Sequence, residues 1–172
     1  MRYCGIPATP FFECAFRTPF GALKAAFSPR GMSSLVFVSE SLSFPSVCTV
    51  PLEIRSLVDQ LQEELALYFQ GSLKTFTIPL TAVGTPFQCA VWDALQKIPF
   101  GSTATYGTIA SRVECYKGAR AVGMANHANP CCIVIPCHRV VPAGYSRASR
   151  CGGYRYGSEI KAALLAHEQK FL

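Results

Sequence analysis

The sequence predicts an α/β fold in two parts, with a small N-terminal α/β domain over residues 1–82 and a mostly helical C-terminal domain over residues 83–172. Short apolar stretches separated by turn residues fill the first 40 positions, and one amphipathic helix follows them. Beyond residue 84 the capping signals of several short helices appear. With 172 residues, half of them hydrophobic, the chain is long enough for one large domain or two small ones.

The N-terminal part is expected to contain strands at Phe11–Arg17, Leu23–Phe27, Ser34–Val38 and Thr75–Leu80. The sequences Thr-Pro-Phe-Gly and Ser-Pro-Arg-Gly supply the turns between the first three strands. A helix is predicted over Pro51–Gln70, because its apolar residues follow helical spacing and its charged residues mostly occupy other faces. Gly71 is suited to end that helix. The domain junction is placed at Thr81–Gly84.

Helix starts are clearer in the C-terminal part. The stretch Thr85-Pro86-Phe87-Gln88 combines a threonine cap, a proline at the first helical position and a glutamine three residues after the cap. The helix it opens runs to about Gln96. A short helix is predicted over Tyr106–Arg112, capped by Thr105, and another from Ala119 to about Ala128. Helix, short turn and helix form the outline of a helix-turn-helix.

The net positive charge lies entirely in the C-terminal part. The formal net charge is +6; residues 1–98 carry seven basic and seven acidic side chains, and residues 99–172 carry nine and three. This suggests a polyanionic partner, nucleic acid first, and the alternative is a protein that is merely soluble and basic. Half of the residues from Ala119 to Ala128 are Ala or Gly. Such a helix is able to pack tightly on a neighbouring helix or to enter a nucleic-acid groove, with Arg120 projecting from it.

The nine cysteines are odd in number and include no Cys-x-x-Cys. This predicts reduced thiols in an intracellular compartment, and no metal site or cofactor, since no ligand spacing supports one. Pro7, Pro10 and Glu13 interrupt any signal-peptide core, and no apolar run approaches the roughly 20 residues of a membrane-spanning helix. We expect a cytoplasmic monomer, or a nuclear one if the source is eukaryotic, without membrane contact.

The reactive residues are concentrated in Ile135-Pro136-Cys137-His138-Arg139-Val140-Val141, at the end of an apolar run from Cys131. A cysteine is a strong nucleophile only as the thiolate, which a neighbouring base favours. The alternative is a buried strand that happens to contain a cysteine. Because neighbouring side chains of an extended segment point apart, we expect a water to relay the proton from Cys137 to His138. Asn129-Pro130 predicts a turn whose amide pins this segment.

A last helix, predicted over Ser158–Lys170, adds an acid to this pair. Ile160, Leu164 and Glu168 are four residues apart, which places a carboxylate on the apolar face, where burial without a partner is costly. His138 is the partner we predict, and the alternative is a solvated carboxylate at a fraying helix end. With Cys137 as the thiol, the three residues would supply a nucleophile, a base and a base-orienting acid.

Several stretches resemble the O6-alkylguanine-DNA alkyltransferases (methylated-DNA–protein-cysteine methyltransferases), in family order over roughly residues 68–172. They include Tyr-Phe-Gln-Gly at 68–71, Gly-Thr-Pro-Phe-Gln at 84–88, Ala-Arg-Ala-Val-Gly at 119–123, Pro-Cys-His-Arg-Val at 136–140, Gly-Tyr-Arg-Tyr-Gly at 153–157 and Leu-Leu-Ala-His-Glu at 164–168. The Pro-Cys-His-Arg-Val motif is highly specific in this context. The resemblance implies a ribonuclease H-like N-terminal domain and a winged helix-turn-helix-like C-terminal domain.

The resemblance also implies suicide repair of double-stranded DNA that contains alkylated bases. A damaged guanine would be flipped out of the duplex, and Cys137 would attack the alkyl carbon on O6. The resulting thioether has no good leaving group, so each chain would act once; O4-alkylthymine is a second candidate substrate. His138 would be the water-mediated base, oriented by Glu168, and Asn129 would support the segment.

The resemblance further assigns residues to DNA. Tyr106 would help to rotate the nucleotide and donate a hydrogen bond to the leaving guanine, and Arg120 would fill the vacated place in the stack. The helix would lie in the minor groove, with Ala119, Gly123 and Ala125 against the DNA. Backbone carbonyls near Cys137 and Val140 would read the guanine amino group.

The substrate pocket is expected to be lined by Val140, Tyr154, Arg155 and Tyr156. Some family members have small residues in place of the last two, so bulk here predicts good activity on O6-methylguanine and poor activity on benzyl-sized groups. The loop Ala143–Gly152, with Arg147 and Arg150, is expected to contact phosphate or to close over the pocket, and the alternative is a variable surface loop.

Two other functions account for part of the sequence. A Cys-His-Glu set would also serve a thiol hydrolase or acyltransferase, which leaves the basic C-terminal half unexplained. A non-enzymatic DNA-binding protein would not need Cys137.

Overall fold

An antiparallel sheet of three strands, β1 (Phe12–Thr18), β2 (Gly21–Ser28) and β3 (Gly31–Val38), opens the chain in the order β1-β2-β3. The structure is a computed structural model that describes residues 11–39, 50–146 and 151–172. The two predicted turns are present, and Gly21 and Gly31 have φ angles of +118° and +146°, in the region that favours glycine. The three predicted strands are confirmed.

Helix α1 (Leu52–Phe69) packs on the sheet through a stripe of residues at helical spacing, which confirms the predicted helix. The buried members of the stripe include Ile54, Val58, Leu61, Leu65 and Tyr68. Gly71 has a φ of +79° and donates its N–H to the carbonyl of Tyr68, as expected for a glycine that ends a helix.

The strand predicted over Thr75–Leu80 is not formed, and that prediction is wrong. Only Leu80 makes a bridge, to Met32 of β3. Pro79 has no N–H to donate and cannot continue a ladder. Further along the same edge of β3, Leu35 bridges to Cys131, with the N–H of Cys132 donating to the Leu35 carbonyl. The edge of β3 therefore anchors the start of the run that leads to Cys137.

The C-terminal part contains the helices α2 (Pro86–Gln96), α3 (Tyr106–Arg112), α4 (Ala119–His127) and α5 (Ser158–Lys170). Thr85 and Gln88 form a complete capping box, and the Thr105 side chain accepts the N–H of Thr108. Two short strands, β4 (Ala104–Thr105) and β5 (Val140–Val141), pair in parallel. The predicted helices are confirmed, as is the order of an α/β part followed by a helical part.

One buried hydrophobic cluster runs through both parts of the chain, from Leu23 in β2 to Leu164 in α5. The domain boundary at residues 82/83 therefore stays a prediction. In the helical part, Trp92 of α2 is buried, and its Nε1 donates a hydrogen bond of 2.9 Å to the carbonyl of Ala125 in α4. Among the described residues, no helix is long and apolar enough to span a membrane.

Candidate active site

The backbone that presents Cys137 is a tight turn rather than the extended segment expected. Residues 132–134 form a turn, and Cys137–Arg139 form one turn of 3-10 helix. The Asn129 side chain holds the two ends of the turn together: its Oδ1 accepts the N–H of Cys131 (3.0 Å) and its Nδ2 donates to the carbonyl of Ile135 (2.8 Å). Ile133, between them, has a φ of +69°, which is rare for a β-branched residue.

Cys137 is almost completely buried, with 3% of its surface exposed. Its Sγ lies 3.9 Å from the hydroxyl of Tyr154. Burial raises the pKa of the Cys137 thiol, and hydrogen bonds from Asn129 and Tyr154 together with the charge of Lys161 only partly oppose the rise. The resting thiol is therefore protonated at neutral pH and needs a base when it attacks.

His138 is positioned to be that base. It is fully buried, and its Nε2 lies 2.8 Å from Oε1 of Glu168, which is buried too. Burial lowers the pKa of His138 although Glu168 opposes the effect. The imidazole is therefore neutral, with Nε2–H donating to Glu168. The other nitrogen, Nδ1, is buried and has no hydrogen-bond partner among the described residues, so its lone pair is available for a proton.

Glu168 accepts hydrogen bonds from four residues that lie in three other segments of the chain. Arg139 donates through Nε (2.9 Å to Oε2) and Nη2 (2.9 Å to Oε1), the Tyr68 hydroxyl donates to Oε1 (2.9 Å) and the Gly101 N–H donates to Oε2 (2.9 Å). His138 completes the set. The predicted contact between Glu168 and His138 is present, and the alternative of a solvated carboxylate is wrong.

Arg139 is the counter-charge of this carboxylate. Burial alone would raise the pKa of Glu168, but the hydrogen bonds from His138 and Arg139 and the charge of the Arg139 guanidinium outweigh burial and hold it well below its ordinary value. Because burial keeps His138 neutral at neutral pH, the permanent charge beside Glu168 is that of the Arg139 guanidinium. A further hydrogen bond of 2.7 Å runs from Arg139 Nη1 to the carbonyl of Ile98.

Three contributors to the site have no assigned role in the sequence analysis: Arg139, Tyr68 and Lys161. The first two lie within stretches that carried the family resemblance, which was the available signal. Lys161 lies seven residues before Glu168 and three before Leu164, on the same helical face, so a buried position was open to prediction.

Lys161 carries a buried ammonium group close to Cys137. Its Nζ donates to the carbonyls of Val140 (2.7 Å) and Gly153 (3.3 Å), and within the described part of the chain it has no carboxylate partner. Burial lowers the pKa of Lys161, while the neighbouring thiols of Cys151 and Cys137 act in the opposite direction. The charge of Lys161 therefore favours the thiolate form of Cys137.

Helix α4 presents one exposed face and one buried face. Ala119 and Arg120 are exposed. A Cβ on Gly123 would lie 3.9 Å from the ring of Tyr106, the first residue of α3, so α4 and α3 approach closely there. Burial, and then the nearby Cys137, raise the pKa of Tyr106, which keeps its hydroxyl protonated and able to donate.

The assignment of Ala125 to a DNA contact is wrong. Ala125 is 2% exposed, and its carbonyl accepts the indole N–H of Trp92. Val122, Ala125 and Asn126 form the buried face of α4, because the helix needs one face to pack against α2. The small residue at 125 therefore serves helix packing, the alternative considered for this composition.

The residues expected to line the pocket divide into two groups. Val140 is buried and Tyr154 lies beside the nucleophile, while Tyr156 packs edge-on against Phe37 and Tyr154, with ring centroids 5.3 and 5.4 Å apart. Arg155 is exposed, with its guanidinium 5.7 Å from the Tyr156 ring centroid. The assignment of these four residues to a substrate pocket stays a prediction. Arg147 and Arg150 lie outside the described residues.

Comparison with known proteins identifies the family. Residues 86–170 match the family model described as "6-O-methylguanine DNA methyltransferase, DNA binding domain". A methylated-DNA–protein-cysteine methyltransferase of Methanosarcina mazei is 37% identical over 159 residues, which cover 91% of this chain and 96% of the relative. The chain belongs to this methyltransferase family. A relative of the same description from Mycolicibacterium paratuberculosis is 46% identical over 108 residues, 63% of each chain.

Solved structures of this methyltransferase family agree with the fold. A variant of the Mycobacterium tuberculosis O6-methylguanine methyltransferase superposes with a TM-score of 0.75 at 36% identity, covering 93% of each chain. Mycobacterium tuberculosis OGT, crystallised in complex with DNA, gives the same TM-score and identity over 92% of this chain and 93% of its own.

Proposed function

We propose that this methyltransferase is a single-use DNA-repair protein that moves an alkyl group from O6 of guanine in double-stranded DNA to Sγ of its own Cys137. One observation carries the proposal: a buried thiol lies beside a neutral imidazole, and a buried carboxylate orients that imidazole. O4-alkylthymine is a second candidate substrate for the same chemistry.

The proposed reaction needs one proton transfer and one displacement. His138 Nδ1 takes the thiol proton through a bridging water, and the Cys137 thiolate attacks the alkyl carbon. The S–C bond forms as the C–O6 bond breaks, and the electron pair of that bond stays on the guanine. Tyr106 donates a hydrogen bond to the leaving base, and the proton taken up by His138 balances the one that the guanine anion regains. The thioether product is not cleaved, so the protein acts once and needs no cofactor.

Burial of the nucleophile requires that the damaged base leave the duplex. Cys137 is 3% exposed, and a base inside the stack cannot reach it. We assign the contact with DNA to the exposed face of α4, where Arg120 would occupy the place of the flipped base and Ala119 and Gly123 would allow the backbone to approach the minor groove. The protein is proposed to act as a monomer, in the cytoplasm or in a eukaryotic nucleus.

Mass spectrometry after incubation with duplex DNA containing O6-methylguanine tests this function. We expect the protein to gain the mass of one CH2 group, located on Cys137, with one methyl transferred per chain. Cys137→Ala should abolish transfer and keep DNA binding. The matched control is Cys151→Ser, which removes another buried thiol and should still accept the methyl group on Cys137. An adduct on another residue, or turnover on an ester with no alkylated protein, would contradict the proposal.

Arg120→Ala tests the DNA-facing side of the proposal. We expect slower repair of duplex DNA, because the vacated position in the stack would no longer be filled, while the Cys137 thiol stays reactive. The control Arg112→Ala removes the same charge from the last turn of α3, so it reports the loss of charge alone. Repair by Arg120→Ala at the wild-type rate would show that its assigned role is wrong. For the wild type, affinity should fall steeply with salt.

A further inference from the structure

Large apolar side chains are exposed at five positions of the described structure, and two of these positions lie in the segment from α3 to α4. Phe11 and Leu172 lie at the ends of described segments, and Leu52 is the first residue of α1. Tyr116 and Met124 have 77% and 71% of their surface exposed. Single exposed apolar residues are common on protein surfaces, so the position of each one must decide whether it has a function.

Met124 lies on the same face of α4 as Arg120. Arg120, Met124 and His127 are all exposed, and they follow the i, i+4, i+7 spacing of a single stripe along a helix. The exposed residues on either side of this stripe, Ala119 and Ala121, are small. Three longer side chains therefore project from this face of α4, and Met124, in the middle of the stripe, is the one that carries no polar N–H or oxygen.

The partner that fits this face is duplex DNA. Arg120 and Lys117, which lies in the turn that leads into α4, are exposed cations near Met124 in the sequence. The whole net positive charge of the chain lies in residues 99–172. Helix α4 also lies within residues 86–170, which match a DNA-binding domain. Because cations flank the methionine, an anionic duplex fits this face better than a purely apolar partner does.

An apolar side chain on a helix in the minor groove acts on the stacked bases. Proteins that kink DNA from this groove insert side chains such as methionine or leucine between base steps and partly unstack them. Four residues of helix advance about 6 Å, and successive bases of a strand lie about 3.4 Å apart, so Met124 lies within about two base steps of Arg120. Unstacking so close to the lesion lowers the cost of extruding the base that Cys137 must reach.

We propose that Met124 is an apolar wedge that enters the base stack beside the lesion and promotes extrusion of the damaged base. This inference rests on the proposed repair function. Arg120 would occupy the place that the flipped base vacates, and Met124 would separate a neighbouring base step and bend the duplex towards its major groove. The wedge acts on duplex DNA and contributes little to a single strand, whose bases are not held by pairing.

The test compares single-turnover methyl transfer from a duplex and from a single strand of the same sequence, each with one O6-methylguanine. We expect Met124→Ala to lower the duplex rate roughly tenfold and the single-strand rate by less than about twofold, because apolar contact with the stacked bases is lost. Met124→Leu keeps the apolar bulk and should restore most of the duplex rate. The control Leu52→Ala removes another exposed apolar side chain, at the start of α1, and should leave both rates unchanged.

A second measurement reports the wedge without methyl transfer. The base analogue 2-aminopurine, which brightens when it is unstacked, is placed within two positions of the lesion, and the duplex is bound by Cys137→Ala, which leaves the lesion intact. We expect the probe to brighten on binding and to brighten less when Met124→Ala is added. Equal brightening with both proteins would overturn the proposal. This comparison alone decides if the single strand reacts too slowly to measure.

The outcomes separate this inference from the proposed function. Transfer from neither DNA by the wild type would overturn the repair function itself. Wild-type rates in Met124→Ala, or an equal loss on both DNAs, would overturn the wedge and leave the repair function in place. A wild-type dimer that Met124→Ala dissociates, measured by analytical ultracentrifugation, would assign the exposed methionine to contact between two copies of the chain and would also overturn the wedge.

Discussion

Replacing Glu168 by glutamine is the most severe test of the buried network. Each group that hydrogen-bonds to the Glu168 carboxylate is a donor. These groups are His138, the Arg139 guanidinium, the Tyr68 hydroxyl and the Gly101 N–H. In Glu168→Gln, an NH2 group takes the place of one oxygen and faces other donors. The charge of Arg139, which is 5% exposed, then has no carboxylate to compensate it.

The size of the effect follows from that uncompensated charge. Removing one partner of a buried ion pair costs about 3–5 kcal/mol. Domains are stable by about 5–15 kcal/mol, so the free energy of unfolding should fall by roughly a fifth or more. For a chain of this length, each kcal/mol lowers Tm by roughly 2–4 °C, and we expect a decrease of about 6–20 °C.

Urea unfolding followed by circular dichroism measures the loss. Glu159→Gln, in the exposed first turn of the same helix, should change the free energy of unfolding by no more than about 0.5 kcal/mol. Adding Arg139→Met to Glu168→Gln should restore part of the loss, because the unpaired guanidinium is removed. A loss below about 1 kcal/mol in Glu168→Gln would refute the reasoning.

Acidification should act on the same carboxylate. The pKa of Glu168 is held below its ordinary value in the folded protein, so the folded state releases this proton more readily than the unfolded state does. Its contribution to stability is therefore complete above about pH 4.3 and is lost progressively as the pH falls below that value. In Glu168→Gln this part of the acid dependence should be absent, and an unchanged dependence would contradict the assignment.

Three further substitutions test single contacts around the thiol. Tyr68→Phe removes one donor to Glu168 and keeps the ring, so we expect about 1 kcal/mol lower stability by urea unfolding and slower methyl transfer; a wild-type transfer rate would show that this donor only supports folding. Lys161→Met removes the ammonium that favours the Cys137 thiolate, so the pH–rate profile should move to higher pH, and an unmoved profile would contradict this. O6-benzylguanine should react more slowly than O6-methylguanine and should gain in Tyr156→Ala; equal rates in the wild type would refute the pocket argument.

Local signals in the sequence were sufficient for the helices and for the central pair of the site. The side chains of Thr85 and Thr105 each accept the backbone N–H three residues later, so these caps depend on local sequence alone. Helices α2 and α3 begin where the caps predict. Glu168 is indicated by its place on an apolar helical face, because a buried carboxylate needs a partner and the chain offers few bases.

The parts that were missed depend on tertiary contacts. The turn before Cys137 forms because the Asn129 amide bonds both of its ends, and an apolar run gives no sign of that. The composition of α4 could not show which small residue faces α2, so Ala125 was placed on the wrong side. Tyr68 and Glu168 are 100 residues apart in the sequence, and helical or strand periodicity does not predict a contact over that distance.

The contact between Trp92 and the Ala125 carbonyl also gives the protein an optical reporter of its own. Trp92 is the single tryptophan of the chain, and its indole N–H donates a hydrogen bond to α4, the helix proposed to contact DNA. Ultraviolet emission from this chromophore therefore comes from one place only. Any tilt of α4 away from α2 on DNA binding would lengthen the Trp92–Ala125 hydrogen bond and change the tryptophan fluorescence spectrum. DNA binding can therefore be followed without attaching a dye.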